Sequence, residues 1–442
     1  MGDSIVGVPG ENSLDALKRE FAQTLVRWPK DFGRVALIRG FPDKYLLRSP
    51  ADLKHVLALR RHNYPKQTVP GADLLLGEGL LMSDEPQSSF HRALVRPAFH
   101  RDFLSECLST MTKESMRLID RWSALSEIDP AAEMRTFTFD VLAKTLLGLD
   151  DNKIVRELYS LVVSLTISVS RITKDLTTRP PVSLPREMER FRWQVQSLNT
   201  IVDDIVAEGV NNQDEGRNLV SLVLREWRDE SRTPSKKDLR DSLVNLLWAG
   251  TSTTAVGISW MFHCLARSPD SVRLLSSSIP DKPPEDPLSF TALHSLTLLD
   301  DAFSEALRLH PPEWMLIRAA REEDVLPSGA IIPKGSTILM SPWTTQRNPD
   351  YFPSPEAFNP ARFSSDQSLS IPDCAYFPWG FGSRKCIAEP FARLEAVTVL
   401  YHVLTRMDLV PPENGRTAPN EFERWPSGVL NVSLRDGRGQ AA

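Results

Sequence analysis

The 442-residue chain is short of cysteine, of long apolar runs and of positive charge, and each shortage excludes a class of protein. Its four cysteines, Cys107, Cys264, Cys374 and Cys386, show no Cys-x-x-Cys spacing and are too sparse for a disulfide framework. No apolar run approaches the ~18–20 residues of a membrane span, and the first residues do not read as a signal peptide. Val6 stands where a myristoylation signal wants Ser or Thr. A net charge of −5 and a pI near 6.0 give a nucleic-acid binder no global electrostatic support. The Asn-Val-Ser sequon at Asn431 carries little without a secretion signal. Rossmann and flavin-binding motifs, internal repeats and low-complexity tracts are all missing. The expected setting is therefore a reducing cytoplasm, with no membrane anchor and no nucleic-acid partner.

What is present suits a large globular core: 41% of residues are hydrophobic and 25% charged. Length alone suggests about three domains. The pattern along the chain does not divide that way. Apolar residues recur at helical spacing over 50–61, 103–123, 137–147 and 154–173. An amphipathic stretch covers 187–208, and 219–227 resumes after a break at 214–217. Ser235 opens the longest helical candidate, to about residue 267, with Asp238 and Asp241 in its early turns suiting the helix dipole. Prolines number 34, of which 15 fall in residues 1–280 and 19 in the last 162. They make 177–185 a loop and 278–287 a connector, and Pro311 and Pro312 stop a further helix at 293–309. Beyond it, 331–336 and 337–340 read as short strands around a turn, and 349–390 is proline-punctuated and irregular. Residues 387–407 read as a helix and 430–434 as a terminal hairpin strand. The expected fold class is mainly α with a small β region, in a single large domain over 1–442. Its helix-rich body lies at about 50–310 and its β-containing region at about 311–442.

One cysteine differs from the rest. Cys386 ends the run Trp379-Gly380-Phe381-Gly382-Ser383-Arg384-Lys385-Cys386, with Ile387 and Ala388 leading into a helix. The glycines let backbone approach a flat ligand and turn N–H groups toward an anion. A helix N-terminus nearby favours a thiolate, and Pro390 falls in the first turn, where its missing N–H costs least. Such a seat suits a single thiolate ligand to a metal. The plainer description, a buried structural cysteine in a tight loop, stands for Cys107, Cys264 and Cys374.

Four motifs, in order and at the right spacing, resemble those of the cytochrome P450 family. The cysteine loop matches the haem-thiolate signature at Trp379, Gly380, Gly382, Arg384, Cys386 and Ala388. Glu305-Ala306-Leu307-Arg308 is similar to the family's Glu-x-x-Arg, whose ends share one helix face and can pair. Pro360-Ala361-Arg362-Phe363 resembles the segment whose arginine joins that pair. The resemblance implies a buried Glu305–Arg308–Arg362 triad locking the irregular region that carries Cys386. Within the long helix, Ala249-Gly250-Thr251-Ser252-Thr253-Thr254 resembles the oxygen-binding kink, with Gly250 and the threonines loosening the helix. Without the other motifs it would read as a packing notch. The resemblance spans about 32–434.

The resemblance implies haem b, an iron protoporphyrin IX with Cys386 as its axial thiolate, and Arg92, Arg318 and Arg384 as candidates for its propionates. Around Arg92 the match is partial: Ser88 stands where an aromatic is expected, and His91 could supply the missing donor or be a solvated helix histidine. Two further departures bear on chemistry. Ser252 replaces the acid that helps deliver protons during oxygen activation, leaving Thr253 for a water-and-hydroxyl relay. Trp379 replaces a phenylalanine and adds an N–H that could bond the thiolate or simply stack.

As a family member, the chain would be a monooxygenase that hydroxylates or epoxidises a lipophilic small molecule, such as a terpenoid, polyketide or fatty acyl compound. O2 and electrons from a separate ferredoxin or flavodoxin-type donor with its reductase would drive it, the chain acting as a monomer. Trp248, Trp314, Met315 and Leu316 are substrate-pocket candidates or plain core, and Thr253, Ser252, Gly250 and Thr254 are the expected catalytic set, beside Ala249. Arg96, Arg101 and Lys385 are candidate docking charges for the acidic donor. Ser252 keeps two alternatives open: atypical haem chemistry (peroxide-driven, aromatic coupling or isomerising), or a non-catalytic haem sensor.

Overall fold

Strand-forming residues are few and scattered, yet they assemble three small sheets. A computed structural model of the chain describes residues 6–7, 35–38, 43–67, 72–178, 184–211, 218–227, 232–280, 289–364, 370–410, 426 and 429–434. The loop at 177–185 and the connector at 278–287 lie largely outside those residues, and the break at 214–217 wholly so. Chain contacts divide the protein into two units, one built from 1–67, 115–134 and 256–442, the other from 68–114 and 135–255.

The first unit holds every described strand. Its largest sheet runs β1 (Val6–Gly7), β2 (Val35–Ile38), β3 (Lys44–Leu47), β8 (Thr337–Met340), β5 (Leu316–Ala319). β2 pairs antiparallel to β3, β3 parallel to β8, and β8 antiparallel to β5. Alternate residues point to opposite faces, and both faces are covered. Val35, Leu37, Tyr45, Leu47, Ile338 and Met340 pack in one cluster, and Ala36, Ile38, Leu46 and Leu339 in another. A second sheet sets β10 (Leu430–Leu434) between β4 (Glu127–Ile128) and β9 (Met407–Val410), all antiparallel. The strands expected around the 331–340 turn form, but not as a hairpin. β7 (Ile331–Ile332) pairs with β6 (Asp324–Val325), while β8 inserts between β3 and β5.

The helices of this unit explain the position of the cysteine loop. The helix Thr297–Leu309 is stopped by the Pro311-Pro312 pair, as expected. The helix Glu389–Arg406 buries nearly its whole circumference between Phe391 and Leu404 and packs against Thr297–Leu309. A short helix, Pro50–Lys54, continues as a π-helical turn, His55–Leu59, that rests on the turn Gly382–Arg384.

Helices make up the second unit's described residues, among them Asn152–Thr178 and Leu184–Asn211, which pack together. The longest described helix, Lys236–Ala266, has 31 residues. Its start is a capping box: the Asp238 carboxylate accepts the Ser235 N–H at 2.9 Å, and the Ser235 hydroxyl accepts the Asp238 N–H at 3.1 Å.

Candidate functional site

In the first unit the cysteine loop is tied down mostly by main-chain bonds. The Cys386 N–H donates to the Trp379 carbonyl at 2.8 Å, Lys385 N–H to Gly382 at 3.1 Å, and Gly380 N–H to Phe377 at 3.0 Å. Gly380 and Gly382 take φ of 72° and 70°, the left-handed region that side chains disfavour. At Gly382 space is also decisive, because a Cβ would sit 2.6 Å from the Leu57 carbonyl oxygen of the π-helical turn. Ala388 is the N-cap of Glu389–Arg406, and Pro390 lies in its first turn. The loop's result is an accessible thiol. Cys386 is exposed, whereas burial pushes the thiols of Cys107, Cys264 and Cys374 up to about 12, leaving them inert.

The Glu305-x-x-Arg308 pair is no surface pair. Both side chains are fully buried, with Arg308 Nε and Nη2 donating to the two Glu305 oxygens at 2.7 and 2.9 Å. Arg362 Nε reaches Glu305 Oε1 at 3.4 Å, and the Asn359 N–H donates to the same oxygen at 3.0 Å. Carbonyls absorb the remaining positive charge: Arg308 donates to Gln346 and Ala357, and Arg362 to Ser354. Two guanidiniums around one carboxylate therefore sit in a shell of main-chain oxygens.

Gln346 carries that order to the cysteine, and nothing in the sequence pointed to it. Its side-chain Nε2 donates to the Leu307 and Arg308 carbonyls at 3.1 and 3.0 Å, capping the end of Thr297–Leu309. Its Oε1 accepts the Phe377 N–H at 2.9 Å, two residues before Trp379. Tyr376 adds a parallel tie, donating to the Ser304 carbonyl at 3.0 Å.

Trp379 packs near the Phe303 ring, centroids 6.2 Å apart, with the Arg393 guanidinium 5.5 Å from its own. Its Nε1 is buried without a hydrogen-bond partner among the described residues. Arg393 is itself clamped by Asp300, Glu389 and Ser304. Arg384 is half-buried, and Arg318, on β5, donates to the Ile317 carbonyl. Trp314 and Met315, partly buried, pack against the Ala36, Ile38, Leu46 and Leu339 cluster, and partly buried Leu316 against the other face of the sheet. Lys385 is exposed and pairs with Glu389.

In the second unit, the 249–254 stretch stays within an unbroken helix. Thr251 Oγ1 donates to the Leu247 carbonyl at 2.5 Å, and Thr253 Oγ1 to Ala249 at 2.8 Å. Such i−4 bonds compete with the backbone ladder and loosen it without breaking it. Gly250 does serve as a packing notch: a Cβ there would meet Leu142 Cδ1 at 2.4 Å. Trp248, Ser252, Thr253 and Thr254 are half-buried, as is Arg92, while Arg96 and Arg101 are exposed.

His91 corrects one of its two expectations, the solvated helix histidine. It is fully buried, its Nδ1 meeting Ser242 Oγ at 3.1 Å and its Nε2 facing the Gln87 amide at 3.2 Å. Burial holds its pKa down, so the ring is neutral, with one nitrogen donating and the other accepting. It is not solvated; it pins two helices together.

The family sequence model described as Cytochrome P450 matches residues 14–435. The chain belongs to the cytochrome P450 family. Cyclooctatin synthase of Streptomyces melanosporofaciens is 28% identical over 433 residues, covering 96% of this chain and 94% of that protein. Cyclooctat-9-en-7-ol 5-monooxygenase of the same organism is 27% identical, covering 90% and 86%. The cytochrome P450DA haem domain superposes with a TM-score of 0.84 at 20% identity, over 98% of both chains. A cyanobacterial CYP120A1 bound to retinoic acid gives 0.83 at 20%, over 98% and 100%. This P450 is an oxidoreductase, a monooxygenase of a family that carries haem-thiolate iron and needs O2 and a redox partner. Its residues fit such a group: one exposed thiol, a glycine-lined turn and a buried, unpartnered indole N–H on the same loop. Among the described residues no helix is long and apolar enough to cross a membrane.

Proposed function

We propose that Cys386 is the axial thiolate of haem b, and that the enzyme hydroxylates or epoxidises a lipophilic, alicyclic small molecule of terpenoid or polyketide type. The observation that carries this reading is the single exposed thiol, held through Trp379, Gln346 and Arg308 to a buried Glu305. Two relatives named for cyclooctatin and cyclooctat-9-en-7-ol support the substrate class. Arg384, Arg318 and Arg92 would hold the haem carboxylates, as guanidinium suits them. The bound cofactor supplies oxygen activation, and the protein supplies position and protons.

Thr253 spends its own proton on the Ala249 carbonyl, which leaves its oxygen as an acceptor able to hold a water. Ser252, half-buried beside it, is the second hydroxyl of this relay in place of an acid. Trp248, Trp314, Met315 and Leu316 would face substrate. Electrons would come from an acidic ferredoxin or flavodoxin drawn by Arg96, Arg101 and Lys385. The whole chain would act as one monomeric haem domain in the cytoplasm.

The test is the absorption spectrum of the reduced carbon monoxide complex of the holoenzyme. A thiolate-type band is expected, and an imidazole-type band would overturn the assignment of Cys386. Turnover under labelled O2 tests the reaction: label in product supports monooxygenation, and its absence favours the peroxide-driven, coupling or isomerising chemistry that Ser252 leaves open.

A further inference from the structure

A cavity of about 590 Å³ opens in the first unit, beside the last turns of Lys236–Ala266, the end of Thr297–Leu309 and the segment 342–358. It shares no lining residue with the cysteine loop or the 249–254 stretch. One wall is aromatic. The Trp260 indole and His310 imidazole stack 3.6 Å apart at an angle of 2°, and Trp343 meets His310 edge-on at 5.8 Å. The cavity's charge comes from Arg347, whose guanidinium lies 3.5 Å over the Trp343 ring.

Arg347 is poorly compensated. Its side chain is only 9% exposed, and its one acidic partner among the described residues, Glu356 at 3.2 Å, is 70% exposed. Its Nη1 is buried with no hydrogen-bond partner among the described residues. Burial lowers the guanidinium's pKa to about 10, a sign of a cation held away from water. His263 Nε2 and His310 Nδ1 are likewise buried and unpartnered. Burial keeps both rings neutral, His263 with a pKa of about 3, so they offer neutral polar edges. A second guanidinium, Arg267, stands at the exposed rim. The lining has no thiolate to offer a metal cation, because the Cys264 thiol is raised to about 12 by burial.

Aromatic planes, a desolvated guanidinium with an orphaned N–H, and neutral imidazole edges together select a flat anion. We propose that this cavity is a second small-molecule site, taking an aromatic carboxylate whose ring lies along the Trp260–His310–Trp343 wall and whose acid group replaces Glu356 on Arg347. The site does not depend on the cofactor reading.

Calorimetric titration of the holoenzyme with 2-naphthoate and its neutral analogue 2-naphthamide tests it, with 4-phenylimidazole filling the open side of the haem throughout. One naphthoate should bind roughly ten-fold more tightly than the amide, as a charge-assisted bond implies. Arg347→Gln should weaken naphthoate by a similar factor. Glu356→Gln, which removes an exposed competitor, should tighten it roughly three-fold, an effect that damage to the fold would not produce. Equal binding of acid and amide would overturn the proposal, as would loss of binding under 4-phenylimidazole or no tightening in Glu356→Gln.

Discussion

The scaffold around Glu305 and the 247–254 stretch of the long helix are held by opposite means. The first relies on charge removed from water and satisfied completely: one carboxylate, two guanidiniums and a shell of carbonyls. The second relies on small side chains and two hydroxyl bonds to its own backbone. Rigid placement and chemical adaptability thus occupy different segments. In the proposed reading, the buried ion network would fix the axial ligand, while hydroxyls able to exchange water would serve the chemistry.

Substitutions can break this division of labour. The largest effect should come from Cys386→Ser, with near-complete loss of the thiolate-type carbon monoxide band and of turnover. The apoprotein's melting temperature should barely move, since the thiol is exposed. Glu305→Gln comes next. It strands two buried guanidiniums and should cost ~3–5 kcal/mol, seen as a lower denaturation midpoint and poor haem incorporation. Gly382→Ala and Gly380→Ala form a matched pair, as both pay ~1–2 kcal/mol for the left-handed backbone. Gly382→Ala should be the worse by chemical denaturation, because its Cβ also meets the Leu57 carbonyl, whereas at Gly380 the nearest atom is 3.8 Å away.

On the adaptable side, Ser252→Asp should raise the fraction of electrons that appear in product while changing stability by less than about 1 kcal/mol. Unchanged or poorer coupling would sink the relay role of this position. Gly250→Ala should do least. The ~1 kcal/mol gained in helix propensity opposes displacement of the flexible Leu142 end, and calorimetry should find a net change near zero.

Legibility followed the range of the interaction. The helix start at Ser235 and the helical spacing of Glu305 and Arg308 are local, so the sequence announces them. Burial of that pair depends on Asn359, Arg362 and Ala357, over 50 residues away in the case of Asn359, and only a family motif hinted at it. Gln346 was invisible because its partners are main-chain atoms of two remote segments. β2 and β3 were missed because both faces of their sheet are covered, which erases the apolar–polar alternation by which short strands are read. His91 misled for a similar reason: its partner Ser242 lies 151 positions away.

The carbonyl shell around Arg308 and Arg362 bears on mutational tolerance. Ala357 and Ser354 contribute only carbonyls to that shell, as Asn359 contributes only its N–H to Glu305, and a backbone atom survives exchange of most side chains it could carry. A saturation scan should therefore find Ala357 permissive, Ser354 limited to residues that accept its φ of 48°, and Asn359 closed to proline, set among intolerant Glu305, Arg308 and Gln346. Sequences can drift far apart under such a regime while the geometry stays in place, as the 0.84 TM-score at 20% identity exemplifies.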